Sequence, residues 1–247
     1  MKDLRLITIT LAMMTFVACG PIQRTRQSED TPVRTPETEN LLINLKKVSA
    51  RGFMFGHHDD TNYGIGWEGD EGRSDVKSVC GDYPAVISFD LGHIELGDTM
   101  SLDKVPFTKI RKEILNQYKR GGMSSLSWHL RNPLTGGDSW DVSDTTVVKS
   151  ILPGGANHEK FTGWVSKVSA FINSLQTEEG VKVPVLFRPW HEHTGSWFWW
   201  GEKLCTPEEY KALWHMTVDI LRNDGVDNAL YAYSPGSEPQ DTAQYLK

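Results

Sequence analysis

Glu192 stands between two histidines, His191 and His193, in the stretch VPVLFRPWHEHTGSWFWWG that spans residues 183–201. Trp190, Trp197, Trp199 and Trp200, four of the nine tryptophans in the chain, fall within eleven residues of one another. Indole faces stack on the apolar faces of pyranose rings, and an apolar wall favours the neutral form of a carboxylic acid. A carboxyl group in that setting suits proton transfer to a glycosidic oxygen. A second chemistry is open to the same residues. His191 and His193 are two apart, so on an extended strand both imidazoles would face one way, as metal ligands can. A zinc site needs a third ligand, and no HExxH accompanies the pair. No metal and no cofactor is expected.

These groups need a scaffold, and the chain alternates as one. Residues 183–187 are a short apolar run that reads as a buried strand ending at Arg188-Pro189. Four similar strands are predicted, over residues 53–55, 84–89, 123–126 and 229–233. Between them lie helices over 74–80, 104–120, a strongly amphipathic segment carrying Phe161, Trp164, Val165, Val168, Ile172 and Leu175, and one announced by Thr206, Pro207 and Glu209 as cap, first-turn proline and capping box. A further helix begins near Thr38, with Leu41, Leu42, Leu45 and Val48 at helical spacing. Residues 131–157, rich in Gly, Asp, Ser and Pro, are a loop excursion long enough to be functional.

Strands that are continuous apolar runs separated by helices predict an α/β fold with a parallel sheet of βα units. Polar residues follow each of the first four strands: His57 and Asp59; Asp90, His93 and Glu95; Trp128 and His129; then Arg188, His191 and Glu192. That placement is the pattern of a (β/α)8 TIM-barrel with its site on the C-terminal face. A doubly wound sheet is disfavoured because no Gly-rich phosphate loop follows the first strand.

The 247 residues carry a net charge of −6 with no basic run, which argues against nucleic acid as a partner. At the N-terminus Lys2 and Arg5 precede an apolar segment over 6–18, too short to span a bilayer and suited to a secretory signal. It ends in Phe16-Val17-Ala18-Cys19-Gly20, which resembles a bacterial lipobox. Cys19 would then carry a lipid that anchors the protein to the cell envelope without spanning the membrane. Residues 20–38 read as a disordered tether, so the domains expected are a signal over 1–19, the tether, and a catalytic domain over 39–247. Cys80 and Cys205 are expected as unpaired, partly buried thiols.

Four segments are shared with a known family: FGHHDDTNYG (55–64), YPAVISFDLGHIELG (83–97), LSWHLRNPLTGGDSWD (126–141) and FRPWHEHTGSWFWWG (187–201). In these the chain resembles glycoside hydrolase family 26, chiefly endo-β-1,4-mannanases of the retaining type. The resemblance implies Glu192 as general acid/base and His129, His191, Trp197, Glu95 and Trp140 as substrate-binding residues. Its implied partner is a β-mannan polysaccharide or oligosaccharide, with other β-glucans or xylans as alternatives. Asp59 and Asp60 are expected in structural roles, and Trp199 and Trp200 as packing beneath the site.

One requirement of the family is unmet. A retaining mechanism needs a second carboxylate as nucleophile, about 5–5.5 Å from the first. In the family it follows the seventh strand, whereas about five βα units are expected here. Glu238 sits after the fifth strand and is not assigned that role. The chain alone is therefore expected to be inactive. A non-catalytic glycan-binding lipoprotein is the reading of a different class.

Overall fold

Thr35 opens the first helix by accepting the backbone N–H of Thr38 on its hydroxyl, with Pro36 in the first turn where no donor is needed. The computed structural model describes residues 33–236. The leader, Cys19 and Glu238 lie outside them, as does most of the tether.

In chain order the elements are α1 (Pro36–Ser49), β1 (Gly56–His58), β2 (Tyr63–Gly64), β3 (Trp67–Glu68), α2 (Asp75–Cys80), β4 (Val86–Asp90), α3 (Phe107–Lys119), β5 (Met123–Ser127), α4 (Val147–Ile151), α5 (His158–Asn173), β6 (Val185–Arg188), α6 (Pro207–Asn223) and β7 (Ala229–Tyr231). A short 3-10 turn, Ile94–Leu96, follows β4. Five strands form one parallel sheet in the order β1-β4-β5-β6-β7, each beside the next in sequence. β2 and β3 make a separate antiparallel hairpin. This is an α/β arc of successive βα units, the arrangement predicted for part of a (β/α)8 barrel.

Side chains along the strands alternate in burial. Ile87, Phe89, Leu126, Val185 and Phe187 are buried in the core with Ile110 and Ile114 of α3, Val165, Val168 and Ile172 of α5, and Leu213 of α6. Each such side chain contributes roughly 1.5–3 kcal/mol by leaving water. Between them Ser88, Ser125, Ser127 and Arg188 line a groove at the other face of the sheet. The strands are therefore less uniformly apolar than the sequence reading held, because their inner face serves a site rather than a core.

Three further expectations are corrected. The first strand lies at Gly56–His58, three residues beyond the apolar run, and Phe53 and Phe55 are exposed. The excursion after β5 contains the buried helix α4. Cys80 is exposed rather than partly buried, while Cys205 is buried and its thiol is pushed up to about 12, chiefly by burial; both are free. The capping box of α6 forms as predicted.

β1 is the outer strand on one side of the sheet among the described residues. Beside it runs an apolar cavity of ≈ 930 Å³ lined by residues that include Phe55, Ile65, Val76, Val79 and Tyr83.

Candidate active site

The parallel register sets the site before any loop does. Asp90 is paired with Ser127, and Ser127 with Arg188, so three polar residues end three neighbouring strands at one level. Two residues earlier His58 is level with Ser88, and Ser88 with Ser125. The groove above them has a volume of ≈ 430 Å³ and is lined by His58, Ser88, Ser125, Ser127, His129, Trp140, Arg188, His191, Glu192, Trp197 and Phe198. Among the described residues Glu192 is the one carboxylate in that lining.

Glu192 reaches the groove through a strained turn. After β6 the backbone enters the left-handed region at Trp190 (φ 54°) and again at Glu192 (φ 56°). For residues with a β-carbon this costs of order 1–3 kcal/mol each and needs firm support. Support comes from both sides. The Tyr210 hydroxyl of α6 donates to the Trp190 carbonyl at 2.7 Å, and the Trp190 indole donates to Thr217 Oγ1 at 3.2 Å. The Glu192 N–H donates to the Ser234 carbonyl at 2.7 Å, beyond β7. The strain aims the carboxylate, and the packing of α6 and β7 holds it there.

Trp197 donates its indole N–H to Glu192 Oε2 at 3.1 Å and is 41% exposed. It also stands where Gly195 must stay a glycine, since a Cβ there would run into the Trp197 ring. Trp199 and Trp200 are fully buried. Trp200 donates to the His191 carbonyl at 2.9 Å and so braces the turn from beneath.

The histidines divide the work. His193 turns away from the groove, stacks on Tyr210 at 4.2 Å and meets the Tyr233 hydroxyl at 2.8 Å. His191 faces His129, Nε2 to Nε2, at 3.0 Å. The two rings thus point at different partners, and the shared metal site considered from their spacing does not form. Behind His129 lies Asp90, 2% exposed, whose Oδ2 is 2.6 Å from His129 Nδ1 and accepts from Ser127 Oγ at 2.5 Å. Its Oδ1 accepts the N–H of Gly92 at 2.7 Å and of His129 at 3.1 Å. Burial alone would raise the Asp90 carboxyl, but the bond and charge of His129, with Ser127 and Gly92, bring it down to about 2. His191 is lowered to about 3 by burial first, then by the proximity of His129 and Arg188. Asp90 thus accepts the Nδ1 proton of His129, and one proton bridges the two facing Nε2 atoms. The result is a continuous chain, Asp90–His129–His191, that fixes both imidazoles at the groove wall.

Trp140 stacks on His129 with centroids 5.3 Å apart and planes 5° from parallel, and is 50% exposed. Phe198 packs against both rings. Glu95 is not brought to the groove. It is fully buried, its carboxylate accepting from the Trp128 indole at 3.0 Å and the Arg131 N–H at 2.8 Å. It pins the strand β5 exit instead of meeting a ligand. Asp59 and Asp60 are buried, with Asp60 Oδ1 2.8 Å from His57 Nδ1. Arg188 bonds Ser234 Oγ at 2.9 Å through Nε. Asp90, read from the sequence only as a polar residue following its strand, Ser127 and Phe198 are site residues to which sequence reasoning gave no role. The parallel register of β4 and β5 was the signal available for the first two.

Similarity to known proteins agrees with this geometry. A mannan endo-1,4-β-mannosidase of Bifidobacterium adolescentis is 36% identical over 219 residues, covering 86% of this chain and 21% of that protein. One from Bacillus subtilis is 27% identical over 216 residues, covering 81% of this chain and 57% of that protein. Among solved structures, a GH26 β-mannanase from Bacteroides ovatus is 64% identical with a TM-score of 0.84, covering 86% of this chain and 62% of its own. A Cellulomonas fimi endo-β-1,4-mannanase is 32% identical with a TM-score of 0.79, covering 87% and 50%. The chain thus spans less than two thirds of the length of each of these relatives. The sequence model of glycosyl hydrolase family 26 matches residues 31–246, and this chain belongs to that family.

Proposed function

We propose that this chain carries the acid/base half of a retaining endo-β-1,4-mannanase, with Glu192 as general acid/base. The observation that supports this most is Glu192 itself, held on a doubly left-handed turn in a groove walled by Trp197, His129, His191 and Trp140. In the first step Glu192 gives its proton to the glycosidic oxygen while a second carboxylate attacks the anomeric carbon, forming a glycosyl ester and releasing the leaving sugar. In the second step Glu192 takes a proton from water, whose oxygen displaces the ester. His129 and His191 bind sugar hydroxyls with their bridged proton set by Asp90, and Trp140 and Trp197 hold ring faces. The nucleophile is supplied from outside the described residues. The substrate class proposed is β-mannan, including galactomannan and glucomannan. The same reading puts the protein outside the inner membrane, held by a lipid on Cys19.

The test is Glu192→Ala in a protein that includes the whole family domain. Turnover of mannan is expected to fall by about 10²–10⁴-fold, while activated aryl glycosides, whose leaving groups need no proton, keep most of their glycosylation rate. Equal loss on both substrates refutes the assignment.

A further inference from the structure

We propose that His58, Asp59 and Asp103 form a binding site for a divalent transition-metal ion, with Zn²⁺ as the best-fitting occupant, at the β1 wall of the groove. Each residue offers one ligand atom, and these atoms lie within 4.8 Å of one another. His58 and Asp59 are adjacent in sequence and would point to opposite sides of a strand. They converge because the chain leaves β1 in the left-handed conformation at Asp59 (φ 49°).

The independent sign of a ligand is Asp59. It is 1% exposed, its Oδ1 accepts from Asn62 Nδ2 at 2.7 Å, and its buried Oδ2, which faces His58, has no hydrogen-bond partner. A buried carboxylate oxygen left in that condition is costly unless a cation or a donor meets it. Three groups could do so: the Tyr63 hydroxyl, whose pKa is raised by burial and in part by a hydrogen bond to Asp59, a proton on His58 Nε2, or a metal ion shared by His58, Asp59 and Asp103. His58 Nε2 is 3.3 Å from Asp59 Oδ2 and 3.8 Å from Asp103 Oδ2. Charge-assisted N–H···O bonds run at about 2.7–2.9 Å, shorter than either. Ligands bonded at about 2.0–2.1 Å around a tetrahedral zinc stand roughly 3.3 Å from each other, as His58 Nε2 and Asp59 Oδ2 do, and the partly exposed Asp103 carboxylate would close by about 0.5 Å to join them.

The other ring nitrogen is already placed for that role. His58 Nδ1 lies 2.9 Å from Ser88 Oγ, so an Nδ1 proton donated there leaves the Nε2 lone pair free for a metal. One neutral imidazole and two carboxylates balance a divalent charge. The mixed nitrogen and oxygen set suits zinc better than calcium, which takes six to eight oxygens. His58 also lines the groove, so the ion would stand at its wall. This site does not depend on the glycosidase reading.

The experiment is calorimetric titration of the full chain, stripped with a chelator, by Zn²⁺, with Mn²⁺ and Ca²⁺ alongside. One saturable Zn²⁺ per chain is expected. His58→Ala and Asp103→Ala should each weaken it by at least about tenfold, while Cys80→Ser and His215→Ala, at other exposed metal-seeking side chains, leave it unchanged. Asp59 is too deeply buried to be a safe first variant, so the two reachable ligands carry the test, with melting curves to show that the variants fold. Imidazole ¹⁵N spectra add a direct readout, the His58 Nε2 resonance shifting on zinc addition. Absence of stoichiometric binding overturns the proposal. So does binding that survives both substitutions, binding lost in Cys80→Ser, preferential saturation by Ca²⁺, or a His58 Nε2 that keeps its proton in excess zinc.

Discussion

Asp90 touches no part of the groove surface, yet it sets the state of two side chains that do. Replacing it by asparagine keeps the shape and puts an NH₂ among donors from Ser127, Gly92 and His129. We expect Asp90→Asn to cost about 1.5–3 kcal/mol of stability, the range for hydrogen bonds to a charged group. It should also move the His129 proton from Nδ1 to Nε2, which long-range ¹H–¹⁵N spectra read directly. Acid sensitivity follows from the same cluster. His191 at about 3 and His193 at about 4 lie below the ordinary 6.5, so the unfolded chain takes up protons that the native one refuses. Their stabilisation is complete above about 6.5 and is lost as pH falls toward those values. Asp59 acts oppositely: burial raises it to about 6, and the stability it gives at low pH is lost as pH rises from 3.8 through 6. Two larger downward shifts outweigh one upward shift, so the melting temperature should drop between pH 6.5 and 4. His191→Gln should flatten that drop; an unchanged slope would show that His191 is not a source of it. Glu192 and Trp197 were legible in the sequence because they share one local segment. Asp90 and His129 are 39 residues apart, and nothing local signals a contact made by strand register.

The elements that hold the site are ordinary, and one turn is not. α6 begins with Thr206, whose hydroxyl accepts from Glu209 N at 3.2 Å while Glu209 returns a bond to Thr206 N at 2.9 Å. Thr206→Ala should cost about 1 kcal/mol and lower the melting temperature by about 2–4 °C, without altering the groove residues. Gly195→Ala should do the reverse. The new methyl displaces the Trp197 indole from Glu192, so oligosaccharide affinity is expected to fall about tenfold or more with little change in melting. Retained affinity would mean that Trp197 does not hold sugar. The helices were legible because caps and apolar spacing are local facts. β1 was misplaced because an apolar run marks burial against something, and Phe53 and Phe55 do not face the core of the described fold. The Val86 N–H meets the Phe55 carbonyl, so the ladder starts as that run ends.

At the scale of the molecule, the side of β1 left unpaired among the described residues and the apolar cavity beside it form a surface that soluble proteins rarely leave open. The 247-residue chain should self-associate on concentration. Ile65→Lys with Val79→Lys, both 90% exposed, should reduce light scattering while leaving melting nearly unchanged. Residues 20–247 expressed alone should release no reducing ends from galactomannan, following the proposed need for an outside nucleophile; release near the rate of a full-length enzyme would refute that need. Binding can be followed without turnover. Of the nine tryptophans, Trp140 and Trp197 are the two that stand half in solvent, and both line the groove. The others are buried or, for Trp214, partly so. A quencher such as iodide therefore reaches mainly the two indoles that a sugar would cover. The fluorescence of the unlabelled protein becomes an occupancy gauge, with quenching lost and emission shifted to the blue as the groove fills.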